Sequence, residues 1–202
     1  MPLPLLPPAF SLVVLDAGRD AFARARELAN ASATGAEGVA DGSFVWTDDP
    51  KRLDVAVVLE PDAGTAETLP AFWVWAAAAL DALEALLPPM IEVRLAGPDR
   101  LLLNGATAGR LRGALGAPVP PSPIPPWLVL GLTLDLAETR AAPGLEPERT
   151  TLESEGAGEG GSAELAEAVA RYVLARMHEW QEDGFAAIAD HLNARLAPPP
   201  GT

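Results

Sequence analysis

The chain has 202 residues, no cysteine, 49% hydrophobic residues and a net charge of −14 at pH 7. That length supports one domain with a real core and little beyond it. The charge excludes a nucleic-acid binder, which needs clustered Lys and Arg, and the lack of cysteine excludes disulfides, thiolate metal sites and a cysteinyl acyl intermediate.

The opening MPLPLLPPAF is apolar but broken by prolines, and it has no basic leader, so it reads as a Pro-rich segment over 1–10 and a poor signal peptide. SLVVLD is a short strand, and GRDAFARARELANAS is a helix with Phe22, Ala25, Leu28 and Ala29 on one side. GSFVWTDD is a second strand. LDVAVVLEP is the clearest buried strand, β-branched and ended by Pro61. TAETLPAFWVWAAAALDALEALLPP reads as one deep-packing helix with Thr65 as its N-cap, stopped by Pro88-Pro89. Asp81 and Glu84 interrupt its apolar run, so no membrane span is expected. The expected location is cytoplasmic.

IEVRLAG and DRLLLN are strands, and Asn104-Gly105 then turns the chain. Asn-Gly between apolar runs is the strongest short hairpin signal, because a type I′ turn needs positive φ at both centres. The returning run, AGRLRGALG, carries Arg110 and Arg112 at alternate positions, so both face the same side. APVPPSPIPP is an extended, exposed connector, and WLVLGLTLDL is a strand with Gly131 as a candidate bulge. The polar run from Ala137 to Gly161 reads as a mobile loop. SAELAEAVARYVLARMHEWQEDG is an amphipathic helix capped by Ser162 and stopped at Gly184, with FAAIADHLNARL a last short helix and APPPGT a tail.

The sum is an α+β domain over 11–196, with a mixed, largely antiparallel sheet packed by helices and a tail over 197–202. Regular β-α alternation is missing, which excludes a doubly wound nucleotide fold. His178 and His191 show no zinc spacing, and neither a G-x-S-x-G elbow nor a phosphate loop occurs.

The order of segments resembles the catalytic domain of the biotin/lipoate protein ligases, which has a class II synthetase-like fold. SFVWTDDPKRLDVAVVLEP is similar to that family's tryptophan, loop and central strand, and FWVWAAAALDALEALL to the helix that follows. IEVRLAGPDRLLLNGATAGRLRG resembles its V-K-W-P-N-D strand, hairpin and returning K-x-[AS]-G strand. WLVLGLTLDL and RYVLARMHEWQEDGFAAIADHL resemble its glycine-bearing strand and closing helices. The resemblance implies binding of a biotin-, lipoate- or octanoyl-type acid, or its adenylate, for protein acylation. It also implies ATP as a co-substrate, biotin or lipoate as ligand, and a biotinyl or lipoyl carrier domain as partner. No nucleic-acid or membrane partner is expected.

The family's cation-bearing positions are occupied differently here. The loop before Trp46 reads GVADGS, with Asp41 where the family has arginines, and Ala106 stands at the position of the family's lysine. Lys51, the only lysine, lies in another loop. Two readings therefore stand: an acylating ligase or transferase, and a catalytically degenerate relative that binds a ligand or a protein.

Candidate ligand-binding residues are Trp46, Asp99, Asn104, Gly109, Arg110 and Arg112. Arg110 and Arg112 suit an anion clamp, or an ordinary half-exposed strand face. Asn104 is explained by turn chemistry and Asp99 by a loop position, with ligand contact as the alternative for each. Gly109 permits close backbone approach to a ligand or to a neighbouring strand. Trp46 is either a core anchor or part of the acyl pocket. No catalytic residue and no metal ligand is assigned.

Overall fold

Strand periodicity divides this chain's apolar residues between two faces of one sheet. The computed structural model describes residues 2–35, 40–120, 122–140, 146–157 and 161–198. The strands are β1 (Ser11–Asp16), β2 (Ser43–Asp48), β3 (Arg52–Leu59), β4 (Val93–Ala96), β5 (Arg100–Leu103), β6 (Ala106–Leu115) and β7 (Leu128–Asp135). They form a seven-stranded sheet in the order β1-β2-β3-β7-β6-β5-β4. Of these strand pairs only β1–β2 is parallel; the others are antiparallel. The α+β class and the mixed, largely antiparallel sheet match the sequence reading.

On one face, Phe44, Trp46, Leu53, Val55, Val57, Leu130, Leu132 and Leu134 meet a layer of helices. These are α3 (Ala71–Leu86), α4 (Ser162–Asp183) and α5 (Phe185–Asn193). The other face carries Val45, Ala56, Val58 and Val129 under α1 (Ala21–Ala33). α1 packs on β2, β3 and β7. The Phe22 ring sits over Gly131, where an added Cβ would come within 2.7 Å of its edge.

The Asn-Gly hairpin forms as its chemistry requires, with Asn104 at φ 48 and Gly105 at φ 90. Other local expectations are corrected. Gly131 is not a bulge; it pairs in register with Ala56 and Arg112. The register instead shifts between Leu101 and Leu102 of β5, leaving Ala108 as the extra residue of β6. The helix read through from Thr65 is two pieces. α2 (Thr65–Thr68) ends where Leu69-Pro70 interrupts, and α3 follows. Gly64, not Thr65, is the N-cap of α2. Gly161, not Ser162, caps α4; Ser162 is the first helical residue and is fully buried. The loop after β7 is packed down at 150–152, where Thr150, Thr151 and Leu152 are buried and Leu152 N–H donates to the Asp135 carbonyl. Residues 141–145 and 158–160 of that run lie outside the described residues.

The segment 65–86 is long and apolar enough to cross a membrane by composition alone. In the fold its residues Val74 to Leu83 are core, because four successive alanines let α3 lie close between the sheet and α4. Trp75 Nε1 donates to the Gly131 carbonyl at 3.0 Å and ties α3 to the sheet.

The charged Asp81 is buried on α3 and is satisfied from the last two helices. His191 Nε2 lies 2.7 Å from its Oδ1, and Arg176 Nε donates to Oδ2 at 2.6 Å. Arg195 pairs with Glu84 one turn along. This network fastens α4 and α5 to α3. Asp81→Ala is expected to lower unfolding free energy by about 2 kcal/mol, since Arg176 keeps Glu179 as a partner. Urea denaturation checks this; an unchanged midpoint would remove the network from the account of how α5 is held.

Candidate ligand-binding site

The α1-side face over β3, β7, β6 and β5 holds a cavity of about 440 Å³. Its floor includes Thr107, Ala108, Gly109 and Thr133, and four arginines surround it: Arg52, Arg100, Arg110 and Arg149. Asp135 and Glu148 complete the charged lining. Four cations around one cavity are notable in a chain with a net charge of −14.

The bulge brings Arg100 to this face. A two-residue hairpin pairs Leu103 with Ala106 and Leu102 with Thr107. Continued regularly, that register would set Arg100 against Gly109 and point Arg100 away from Arg110. The extra Ala108 shifts the pairing by one, so Arg100 lies opposite Arg110. Directly opposed like charges are unfavourable in a sheet unless an anion intervenes. Among the described residues Arg110 has Asp99 as its one carboxylate partner, at 3.7 Å, and it remains well exposed. The side chains of Arg52 and Arg100 make no hydrogen bond or close ion pair among the described residues, although the charge of Arg52 attracts Asp54 at longer range.

Arg149 arrives from the loop after β7. Thr107 N–H donates to Glu148 O, Thr150 N–H returns the bond to Thr107 O, and Arg149 is thereby placed beside β6. Its guanidinium pairs with Asp135 at 3.1 Å and Glu146 at 3.4 Å.

Arg112 has a different fate from Arg110, although both project from the same face. Its guanidinium donates to Asp20 Oδ2 at 2.8 Å and Asp54 Oδ1 at 3.3 Å, and lies 4.7 Å from the Phe22 ring centre. Asp20 is the N-cap of α1, with its Oδ1 accepting from Ala23 N–H. Asp54 is 3% exposed and accepts from Ala21 N–H. Burial pushes the Asp54 carboxyl up to about 6, against the opposing pull of Arg112. The Asp20 carboxyl lies below its ordinary value: burial tends to raise it, and the hydrogen bond from Arg112 with those of the helix N-terminus outweighs that. Arg112 thus anchors α1 to β3 and β6 beside the cavity.

The structure brings Gly109 and Arg110 into the cavity lining, leaves Asp99 outside that lining but 3.7 Å from the Arg110 guanidinium, and sets Arg112 against α1 next to it. Trp46 and Asn104 stand apart. Trp46 points into the helix-packed core with no exposure. Asn104 is committed to the turn: its Oδ1 accepts from Glu92 N–H and its Nδ2 donates to Glu155. Gly109 is required by the sheet itself, because a Cβ there would overlap the Thr133 carbonyl oxygen. Ala106, opposite Leu103, lies just outside the cavity lining. Asp41 is exposed and its side chain accepts from Glu60 N–H, while 38–39 of the same loop lie outside the described residues. Among the described residues no group of three or more His, Cys, Asp or Glu is placed to hold a metal.

Sequence reasoning missed Arg52, Arg100 and Arg149. Arg52 shares the parity of Asp54 on β3, which is a usable signal; the placement of the other two depends on the bulge and the loop crossing.

The fold is that of the biotin protein ligases. Biotin protein ligase from Aquifex aeolicus, in complex with biotin and ATP, superposes with a TM-score of 0.70 over 92% of this chain and 78% of that one, at 14% identity. The Leishmania major biotin protein ligase in complex with biotinyl-5-AMP gives 0.63 over 95% and 82%, at 12% identity. A biotin protein ligase-like protein of unknown function from a Silicibacter species gives 0.82 over 98% and 85%, at 29% identity. No curated protein matches. The model of the biotin/lipoate A/B protein ligase family matches residues 6–194, and the chain belongs to that family.

Proposed function

We propose that the chain binds a small acid of the biotin, lipoate or octanoate kind, or its adenylate, in the arginine-lined cavity, for acylation of a carrier-domain lysine. One observation carries this reading: Arg52, Arg100, Arg110 and Arg149 converge on a cavity beside Ala108-Gly109, the part of the family's returning strand that this sequence keeps. Guanidinium groups suit carboxylate and phosphate because they present paired donors in one plane. Titration calorimetry with biotin, lipoate, octanoate and their adenylates tests it. Binding of at least one is expected, weakened about tenfold or more by Arg110→Ala, the loss of one charge-assisted contact. If none binds, the reading is wrong.

The second reading is a binding module that no longer activates its acid with ATP. Ala106 and Asp41 favour it, since neither supplies the positive charge that stabilises a developing phosphate anion. ATP–pyrophosphate exchange separates the two, with no exchange expected. Exchange that Arg110→Ala abolishes would establish an adenylating enzyme.

A further inference from the structure

A second cavity, of about 690 Å³, opens at the opposite end and on the opposite face of the sheet. Arg52 begins β3 and Asp135 ends β7 at the arginine cavity. Leu59 ends β3 and Leu128 begins β7 at this one, on the side covered by α4. Among the described residues the two linings share none.

Its floor is apolar and aromatic: Phe10, Met177 and the half-buried Trp180 line it with the ends of β3 and β7. Its rim is acidic. Asp41, Glu60, Asp62 and Glu67 line it, and among the described residues no lysine or arginine does. His178 is the one other titratable group in that lining among the described residues. The side chains of Glu60, Asp62 and Glu67 make no hydrogen bond or ion pair among the described residues, while Asp41 accepts from Glu60 N–H. The volume is that of a small-molecule site, and the lining has the expected form of an apolar body with a few polar groups of one sign. Four exposed carboxylates with no lysine or arginine beside them in the described lining give the hollow a negative potential, which disfavours an acid or adenylate here. A cation is favoured twice, by the carboxylates and by the Trp180 indole in the lining, and its apolar part displaces water from Phe10 and Met177.

We propose that this cleft is a separate binding site for a small organic ammonium carrying an apolar group. The arrangement selects against the neutral and anionic counterparts of such a molecule. Residues that recognise the ammonium are Glu60, Asp62 and Glu67; Trp180, Phe10 and Met177 hold the apolar part.

4-Phenylbutylamine, 4-phenylbutanol and 4-phenylbutyrate test the claim, each titrated into the full chain at low salt. Calorimetry gives affinity, and the indole N–H resonances of the five tryptophans report location by NMR. The amine is expected to bind and to shift the Trp180 resonance, assigned through Trp180→Phe. The alcohol should bind about tenfold more weakly and the acid more weakly still. The exposed double variant Glu60→Gln/Asp62→Asn should bring amine affinity down to that of the alcohol without changing the melting temperature. Arg110→Ala should leave amine binding unchanged, which keeps this result independent of the arginine cavity. Equal affinity for all three compounds, absent binding, or amine binding that the double variant leaves intact would overturn the proposal. So would a concentration-dependent dimer, seen by sedimentation, that covers the cleft and that the amine fails to dissociate.

Discussion

Arg112→Ala is expected to lower the unfolding free energy by about 3 kcal/mol near pH 8, and by much less near pH 5. The cause is the carboxylate left behind. Asp54 is buried under the first turn of α1, and Arg112 is its only guanidinium partner within hydrogen-bonding range among the described residues. Without it, Asp54 keeps one bond from Ala21 N–H, at 3.4 Å, and faces the charge of Asp20, with only the more distant Arg52 attracting it among the described residues. Removing one member of a buried pair costs more than the pair contributes, because the other charge remains desolvated.

The pH dependence has a definite sign. The Asp54 carboxyl stands at about 6 in the fold against 3.8 for the free group, chiefly because burial disfavours its charge. Its ionisation therefore penalises the folded state. The penalty is absent below the free value, grows between the two, and is complete above the folded value. Asp20 behaves oppositely: its folded value is lowered, so its contribution is present above 3.8 and is lost only as pH falls further. The two windows adjoin and do not overlap. In the Arg112→Ala protein Asp54 holds its proton to higher pH still, so acid selectively restores stability. Urea denaturation at both pH values measures this, and adding Asp54→Asn to the variant should recover most of the loss. A deficit independent of pH would mean that Arg112 acts through packing on Phe22 alone.

What the sequence disclosed and what it hid divide along the range of the interactions. The hairpin at Asn104-Gly105 was legible because its backbone conformation is demanded by two adjacent residues. The common parity of Arg110 and Arg112 was legible for the same reason. Their separate fates were not, because α1 covers one and leaves the other. Gly131 looked like a bulge in isolation, whereas its small size serves Phe22, which lies over a hundred residues earlier in the chain. The true bulge carries no sequence signature, since Thr107-Ala108 suits a regular strand as well. Yet that bulge sets Arg100 beside Arg110 and makes the cavity cationic. The family was visible in segment order, while the residues around its ligand site depended on tertiary packing.

Gly109→Ala is expected to cost about 3 kcal/mol and to abolish ligand binding in the arginine cavity, with Gly109→Val worse. Its Cβ would overlap the Thr133 carbonyl oxygen and lie 3.1 Å from Leu134 Cδ1. A carbonyl inside a sheet cannot rotate away without losing its own ladder bond, so β6 must move off β7. That movement carries Arg110 and opens the pairing of Arg110 with Thr133 and Arg100. Gly131→Ala is the instructive comparison. Its Cβ would come within 2.7 Å of an atom at the edge of the Phe22 ring, a side chain that can give way, so the expected loss is smaller. Thermal melts of the two variants, with calorimetry of whichever ligand the wild-type protein binds, measure both effects. The order of the two losses is the test. If Gly131→Ala proves the more damaging, the seat of α1 on the sheet, and not the β6–β7 approach, controls the geometry of the cavity.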